Sequence, residues 1–324
     1  MRSFLVLAAA SLLSVMAPAQ VTDGTGPLTG IIIYQATQAG VPFSFSHHDV
    51  TYSNIGQRNV LNPTGYDVEV VKPSTYPYTR SLLIPDHIRV GVYDFEVTQI
   101  AGSAFQQTGI RGLEVKAEIR TIPHNCFMYC TDLETVRFHG SYPHFIEAAA
   151  FQGCSALKSI NLPAQLKYIG NNAFSQCGSL KEITIPKDVA TLGDFAFYRC
   201  MALEKVTFLS GHFRTIPPYC FQTCEALREV EIPNGVATLA EYCFNGAGLE
   251  VIWLPASLRR IEGNALTQTR IKKIYCRAMT PPWVGPNFTY DQTHAIELHV
   301  PAAALAAYKA DSFWSNFTNI VGDM

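Results

Sequence analysis

The feature that most constrains this chain is a short motif that repeats along most of its length: an Ile or Leu followed five residues later by Phe. Successive Phe positions lie 22, 24, 23, 23, 24, 23 and 22 residues apart, with Leu266 replacing Phe in the last copy. The pairs are Ile100/Phe105, Ile122/Phe127, Ile146/Phe151, Ile169/Phe174, Leu192/Phe197, Ile216/Phe221, Leu239/Phe244 and Ile261/Leu266. A unit of this size cannot bury its own apolar side chains, so the copies must stack and share one core. The spacing predicts a solenoid with Phe inside, in the segment that returns the chain to the next strand.

A second element lies between these pairs and has the pattern Leu-x-x-Ile-x-Ile/Leu-Pro. It occurs as Leu157-Ile160-Leu162-Pro163, Leu180-Ile183-Ile185-Pro186, Leu227-Val230-Ile232-Pro233 and Leu249-Ile252-Leu254-Pro255. Apolar residues at every second position predict a short strand with one buried face, and the Pro ends it. Each strand should pair in parallel with the next, and about eight units at ~4.8 Å per strand give a solenoid roughly 40 Å long.

The units resemble the BspA-like leucine-rich repeats, as in the run LKEITIPKDVATLGDFAFYRCM from Leu180 to Met201. The resemblance covers roughly residues 80–324. It implies a leucine-rich-repeat solenoid, a β-rich α/β repeat whose parallel strands belong to units of about 23 residues. It further implies an exported or surface protein of a host-associated bacterium, with a role in adhesion or protein binding and not in catalysis.

Both ends of the chain also resemble this family. Residues 81–105 resemble its lead-in hairpin, and residues 276–324 resemble its C-terminal cap, where dense alanine favours a helix from Ala302 to about Phe313. Residues 20–80 are rich in Gly, Ser, Thr and Tyr, which predicts short strands joined by turns. We expect a small β cap there, with His47–Pro63 as an insertion or loop.

The first residues have the pattern of a cleaved secretory signal. Arg2 is followed by an apolar run from Phe4 to Met16 and by Ala17-Pro18-Ala19. The run is shorter than a membrane-spanning helix and no later run approaches that length, so we expect export without a transmembrane segment. The protein would be secreted, periplasmic or on the cell surface. The predicted division of the chain is therefore a signal peptide at 1–19, a β-rich cap region at 20–95, about eight repeats at 96–276 and the C-terminal cap at 277–324.

Nine cysteines in an exported protein raise the question of disulfides. Here, however, they occupy repeat positions that call for a small buried residue. Cys130, Cys154, Cys177, Cys200 and Cys224 lie three residues after the repeat Phe, and Cys126, Cys220 and Cys243 lie directly before it. Side chains in register point the same way, with Cβ atoms farther apart than a bridge prefers. This favours free, stacked thiols, with disulfides as the alternative. A metal site is not expected, since no His completes a set of ligands.

Catalytic signatures are missing from the sequence. The motifs G-x-S-x-G, H-E-x-x-H, the phosphate-binding loop and the dinucleotide-binding glycine triplet do not occur. The one dense group of potential acids, bases or ligands, His47-His48-Asp49, is interpreted as a solvated loop. The formal net charge of -2 gives no footprint for nucleic acid. We expect no enzyme activity and no cofactor.

A binding surface is predicted on the strands, where outward-facing residues form columns across the repeats. One column reads Arg137, Asn161, Thr184, Thr207, Glu231, Trp253 and Tyr275, and its neighbour reads Thr135, Ser159, Glu182, Lys205, Glu229, Val251 and Lys273. Exposed aromatic residues are enriched where proteins bind partners. The predicted contact residues are Trp253, Tyr275, Glu231, Glu229, Arg137 and Lys273.

Several alternatives stay open for this surface. The C-terminal cap, with Trp283 and Phe288, could fold over Trp253 and Tyr275 and cover them. The partner could be a protein from a host or a bacterium, or a glycan, because an aromatic flanked by polar residues suits sugar stacking. The acidic pair Glu229 and Glu231 favours a partner bearing Lys or Arg. The protein is expected to be a monomer, and a purely structural, self-associating surface component is the competing hypothesis.

Overall fold

The computed structural model describes residues 20–21, 44–47, 50–59, 62–73, 81–90, 93–209 and 212–324. It is a parallel β-solenoid of about nine turns of roughly 23 residues, with helices confined to a small C-terminal region of the described chain. The leucine-rich-repeat solenoid that the sequence predicts is confirmed.

Most turns contribute one longer and one shorter strand, on two sides of the core. The longer strands are β5 (Leu82–Ile84), β8 (Gly112–Val115), β10 (Thr135–Phe138), β12 (Ser159–Asn161), β14 (Glu182–Ile185), β16 (Lys205–Phe208), β18 (Glu229–Glu231), β20 (Val251–Leu254), β22 (Lys273–Cys276), β24 (Glu297–Val300) and β25 (Asn319–Gly322). The shorter strands are β9 (Thr121–Ile122), β11 (Phe145–Ile146), β13 (Tyr168–Ile169), β15 (Thr191–Leu192), β17 (Thr215–Ile216), β19 (Thr238–Leu239), β21 (Arg260–Ile261) and β23 (Trp283–Val284). Every pairing within these two sets is parallel.

The repeat phenylalanines form a continuous ladder through the core. Phe105, Phe127, Phe151, Phe174, Phe197, Phe221 and Phe244 are all fully buried. Neighbouring rings stack nearly parallel, with centroids 5.2 to 5.5 Å apart. Offset stacking of this kind adds to the hydrophobic gain from burial, so each Phe stabilises the two turns beside its own.

The cysteines form a second ladder next to the phenylalanines. All nine thiols are free and buried. The five thiols three residues after the repeat Phe each donate to the carbonyl oxygen of the Phe in the preceding turn, at 3.0 to 3.3 Å: Cys130, Cys154, Cys177, Cys200 and Cys224. Burial raises the pKa of these thiols, and that of Cys200 rises to about 12. Cysteine therefore acts here as a small apolar residue with one weak donor.

The turn that carries each Phe needs two residues with left-handed backbone, one on either side of it. The position two before Phe is occupied by Ser103, Asn125, Ala149, Asn172, Phe195, Tyr219, Tyr242 and Asn264, with φ between 54° and 59°. Bulky residues rarely adopt this conformation. Phe195, Tyr219 and Tyr242 do so while stacked on one another, with centroids 4.4 and 5.0 Å apart. Ring stacking offsets part of the backbone strain.

The N-terminal region is more regular than the sequence suggests. The strands β1 (Gln20–Val21), β2 (Ser44–His47), β3 (Val50–Asn59), β4 (Asn62–Pro73), β6 (His87–Val90) and β7 (Tyr93–Ile100) form one six-stranded sheet. The expectation of a loop at His47–Pro63 is wrong, because β3 pairs antiparallel with β2 and β4 and these partners satisfy its polar backbone. The predicted signal peptide at residues 1–19 lies outside the described residues.

The lead-in region divides between two sheets. The hairpin consists of β6 and β7, which pair antiparallel. The strand before it, β5, instead pairs in parallel with β8 and begins the sheet of longer strands. The solenoid therefore starts within the range that the sequence analysis gives to the N-terminal cap.

The C-terminal region closes the core with strands and short helices. The helix α1 spans Tyr290–Ala295 and α2 spans Leu305–Ala310, and 3-10 turns cover Ala302–Ala304 and Trp314–Asn316. Helix is thus present in part of the stretch predicted from Ala302. Two buried aromatic residues hold this region in place: Tyr308 donates to the carbonyl oxygen of Ala278 at 2.9 Å, and Trp314 donates to that of Pro282 at 2.8 Å.

Candidate functional site

The outward side chains of the longer strands form one surface, which we call the strand face. Its columns follow the predicted register: Arg137 pairs with Asn161, Thr184 with Thr207, and Trp253 with both Glu231 and Tyr275. The structure also extends the first column at both ends, with Glu114 before Arg137 and His299 after Tyr275. Sequence reasoning missed both because their strands depart from the repeat pattern. The alternation of Leu298, His299 and Val300 is the signal that could have identified His299.

An aromatic stack forms the C-terminal end of the strand face. The rings of Trp253 and Tyr275 lie 3.8 Å apart at 8°, and those of Tyr275 and His299 lie 4.4 Å apart at 19°. Trp253 and Tyr275 are partly exposed, whereas His299 is buried. The indole Nε1 of Trp253 donates to Glu229 Oε1 at 2.8 Å, which fixes the orientation of the ring. Stacking and this hydrogen bond hold a rigid aromatic group at the surface.

The C-terminal cap does not cover this stack in the way the sequence analysis allowed. Trp283 lies on β23, in the sheet of shorter strands on the other side of the core, and is 54% exposed. Phe288 packs against Phe313 and Phe317 instead. The cap supplies the next two strands of this face, β24 and β25, and His299 on β24 continues the stack. The cap extends the strand face because β24 pairs in parallel with β22.

Ion pairs surround the aromatic stack. Arg277 Nη1 lies 2.7 Å from Glu231 Oε1, and Lys273 Nζ lies 2.9 Å from Glu297 Oε2. The hydrogen bond and charge of Lys273 lower the pKa of Glu297, and Glu297 in turn raises the pKa of Lys273. His299 Nδ1 lies 2.9 Å from Asp323 Oδ2. The predicted residues Trp253, Tyr275, Glu229, Glu231 and Lys273 therefore lie together in one patch.

Arg137 lies at the other end of the strand face and does not join this patch. Four longer strands separate β10 from β20 along the solenoid, so the two lie on the order of 24 Å apart at ~4.8 Å per strand. Around Arg137 the face is a shallow depression of about 460 Å³, whose lining includes the small residues Ser81, Gly112 and Ser159. The strand face thus has a shallow depression at one end and an aromatic, charged patch at the other.

The described residues contain no group of three or more His, Cys, Asp or Glu side chains that could hold a metal ion. Of the His47-His48-Asp49 group, His48 and Asp49 lie outside the described residues, and only the backbone of His47 is described. Within the part of the chain that the structure covers, no helix is long and apolar enough to cross a membrane. The site is a surface of stacked rings and ion pairs.

Comparison with known proteins agrees with the fold. A family model described as the BspA type leucine rich repeat region matches residues 92–145 and 144–272, in six copies, which is more than half of the chain. No curated protein is significantly similar to the chain. Proteins of this family and fold are typically non-enzymatic, and they generally mediate protein binding.

The solved structures that are similar to this chain include three bacterial proteins. A leucine-rich repeat protein from Bacteroides ovatus is 25% identical with a TM-score of 0.64, over 85% of this chain and 76% of that one. The T. pallidum leucine-rich repeat protein is 24% identical with a TM-score of 0.47, over 57% of this chain and 78% of that one. The pneumococcal vaccine antigen PcpA is 19% identical with a TM-score of 0.48, over 87% of this chain and 98% of that one.

Proposed function

Because the chain belongs to the BspA-type leucine-rich repeat family, we propose that it is an exported, non-enzymatic interaction module. It binds another protein through its strand face, in adhesion or in recognition at a surface. The observation that carries the proposal is the stack of Trp253, Tyr275 and His299, which places rigid aromatic surface on an otherwise polar face. Aromatic residues held in place before binding lose little entropy when a partner arrives.

Export is the second part of the proposal. It is supported by the charged residue, apolar run and small-residue site at residues 1–19, which have the pattern of a secretory signal. The fold is compatible with an oxidising compartment, since each thiol is buried and disulfide exchange requires an accessible thiolate. A surface or secreted location would place the strand face in contact with other macromolecules.

The groups that surround the Trp253 ring favour a protein partner over a glycan. Sugars stack on free aromatic faces, but one face of the Trp253 indole is covered by Tyr275. The guanidinium of Arg277 also lies over this indole, 5.2 Å from the ring centroid. The indole is thus bordered by charged groups, the guanidinium of Arg277 and the carboxylates of Glu229 and Glu231, and such groups suit contact with a protein.

The experiment is a binding assay of the purified protein against a panel of extracellular-matrix proteins, bacterial surface proteins and glycans. Trp253→Ala should lose the binding of any partner, while Trp283→Ala should retain it, since Trp283 is an exposed indole on the other sheet. Both variants should keep the thermal unfolding of the parent. Equal loss in both variants, or concentration-dependent self-association with no partner, would count against the proposal and favour the structural hypothesis.

A further inference from the structure

The indole of Trp253 is held as the floor of a small site. Its Nε1 is bonded to Glu229, and one ring face is stacked on Tyr275 at 3.8 Å. A guanidinium, that of Arg277, lies 5.2 Å from the ring centroid. Cations are attracted to the negative face of an indole, and Arg stacks there more often than Lys because its charged group is planar.

Arg277 reaches across two strands to its partner Glu231. It follows directly after β22, whereas its partner Glu231 lies on β18, so its side chain passes β20. The corresponding position after the longer strand is a proline in six other turns: Pro85, Pro163, Pro186, Pro233, Pro255 and Pro301. A proline there ends the strand and offers no charge. After β22 the chain instead supplies a cation to its own aromatic patch.

The carboxylates beside the indole determine which ligand fits. Glu229 and Glu231 are both exposed, and Glu231 is 62% exposed in its side chain although it is paired with Arg277. A partner carboxylate directed at Arg277 would approach both of these glutamates and be repelled. A partner guanidinium would meet the indole and the carboxylate of Glu231, the two groups that Arg277 meets now, with Glu229 bonded to the indole N–H beside them. Other cations also lie close by. Lys205 and Arg228 line the same depression as Glu229 and Glu231, and Arg228 donates to the carbonyl oxygen of Gly248 at 3.0 Å, while Lys273 is paired with Glu297.

From this arrangement, and resting on the proposed function, we propose that the Trp253 site recognises an arginine side chain on the partner protein, and that Arg277 is a resident competitor that occupies the site until the partner displaces it. An exposed ion pair contributes little free energy, so displacement costs little. A depression of about 750 Å³, lined among others by Thr207, Phe208, Ile232 and Arg277, adjoins the site and leaves room for the incoming chain.

The test uses the full protein and a short peptide, acetyl-Gly-Gly-Arg-Gly-Gly-amide, with the Lys and citrulline versions as matched probes. The readout is the indole N–H resonance of Trp253, assigned with Trp253→Phe. The arginine peptide should perturb this resonance and saturate at lower concentration than the lysine peptide, and the uncharged citrulline peptide should have little effect. Equal binding of the three peptides, or no perturbation by the arginine peptide, would overturn the proposal.

The competitor role is tested with Arg277→Gln, which removes the charge and leaves a shorter, polar and unbranched side chain. The affinity for the arginine peptide should rise by about two- to fivefold, because an exposed ion pair that occupies the site reduces the apparent affinity by that factor. Adding Glu231→Gln to this variant should lower the affinity for the peptide again. Weaker or unchanged binding in Arg277→Gln overturns the role of Arg277 as a competitor.

These outcomes are separable from failure of the proposed function. Suppose that a protein partner binds and that both Trp253→Ala and Arg277→Gln weaken this binding. The patch is then a contact surface in which Arg277 itself takes part, and the arginine-recognition proposal is wrong. If the arginine peptide binds as described but the partner's binding does not depend on Trp253, the site exists and the proposed use of it in partner binding is wrong.

Discussion

Asn287 Oδ1 accepts a hydrogen bond from the backbone amide of Leu266 at 2.8 Å. In each preceding turn, the equivalent amide donates to a backbone carbonyl oxygen instead. In those turns the amide of the repeat Phe donates to the next turn, as from Phe221 to Cys243 at 2.7 Å and from Phe244 to Ala265 at 2.9 Å. The array ends at Leu266, and an asparagine side chain takes over the role of the missing turn. Its Nδ2 donates to the carbonyl oxygen of Glu262 at 2.7 Å, so both ends of the amide are used.

Replacing the side-chain amide of Asn287 should lower the free energy of unfolding. Asn287 is 3% exposed, so Asn287→Ala leaves the Leu266 amide buried without an acceptor, and we expect a loss of about 1–3 kcal/mol in the free energy of unfolding. Urea denaturation measures it. The matched control is Asn316→Ala, which also precedes Phe-Thr but lies at the surface, and it should change stability much less. Equal effects would show that Asn287 does not act as a cap.

The phenylalanine ladder should be the most sensitive part of the core. Phe174→Ala removes a fully buried ring that stacks on Phe151 and Phe197, and we expect it to cost roughly 3–5 kcal/mol. Met201→Ala, at a residue that is 38% exposed, is the control and should cost far less. Thermal or urea unfolding compares the two. If both variants were as stable as the parent, the assignment of the inward face would be refuted.

The thiols should be unreactive in the folded protein. All nine are buried and free, so Ellman's reagent should find almost none in native protein and nine after unfolding in urea without reductant. Burial both blocks access and, by raising the pKa, suppresses the thiolate that reacts. Fewer than nine thiols in the unfolded, unreduced chain would reveal disulfides and contradict the free ladder.

Because the thiols are buried, the free energy of unfolding should depend on pH under alkaline conditions. The pKa of Cys200 is about 12 in the folded protein against about 9 when unfolded, so above pH 9 the unfolded chain releases its proton first. The stabilisation that comes from the neutral thiol is complete below pH 9 and is lost as the pH rises from 9 towards 12. One such thiol contributes a slope of about 1.4 kcal/mol per pH unit in that range. Cys200→Ala should therefore lose stability less steeply between pH 9 and 11 than the parent, and parallel curves would refute this account.

Much of the fold follows from periodicity alone. The recurrence of Phe identifies the core ladder, and the alternation in the strands identifies which residues share a column, because register in a solenoid repeats with the unit. For this reason the side-by-side placement of Trp253 and Tyr275 is predictable and is confirmed by the pairing of β20 with β22.

Features that break the repeat could not be predicted from it. The path of Arg277 across two strands to Glu231 depends on a side-chain conformation that no spacing encodes. The cap formed by Asn287 is a single side chain in a non-repeating segment. Phe195, Tyr219 and Tyr242 occupy left-handed positions that propensity assigns to Asn or Gly, because the turn of the repeat requires that backbone, and their rings stack on one another.

Binding through the strand face is the central claim, and hydroxyl-radical footprinting of the protein with and without a bound partner tests it most directly. The method reports on aromatic side chains, which this protein carries on both sides of its core. Our account predicts that Trp253 and Tyr275 on the strand face become protected in the complex, while Trp283 and Tyr290, which are 54% and 76% exposed, keep their reactivity. Protection of Trp283 and Tyr290 with unchanged Trp253 and Tyr275 would contradict it and move the binding surface to the C-terminal cap.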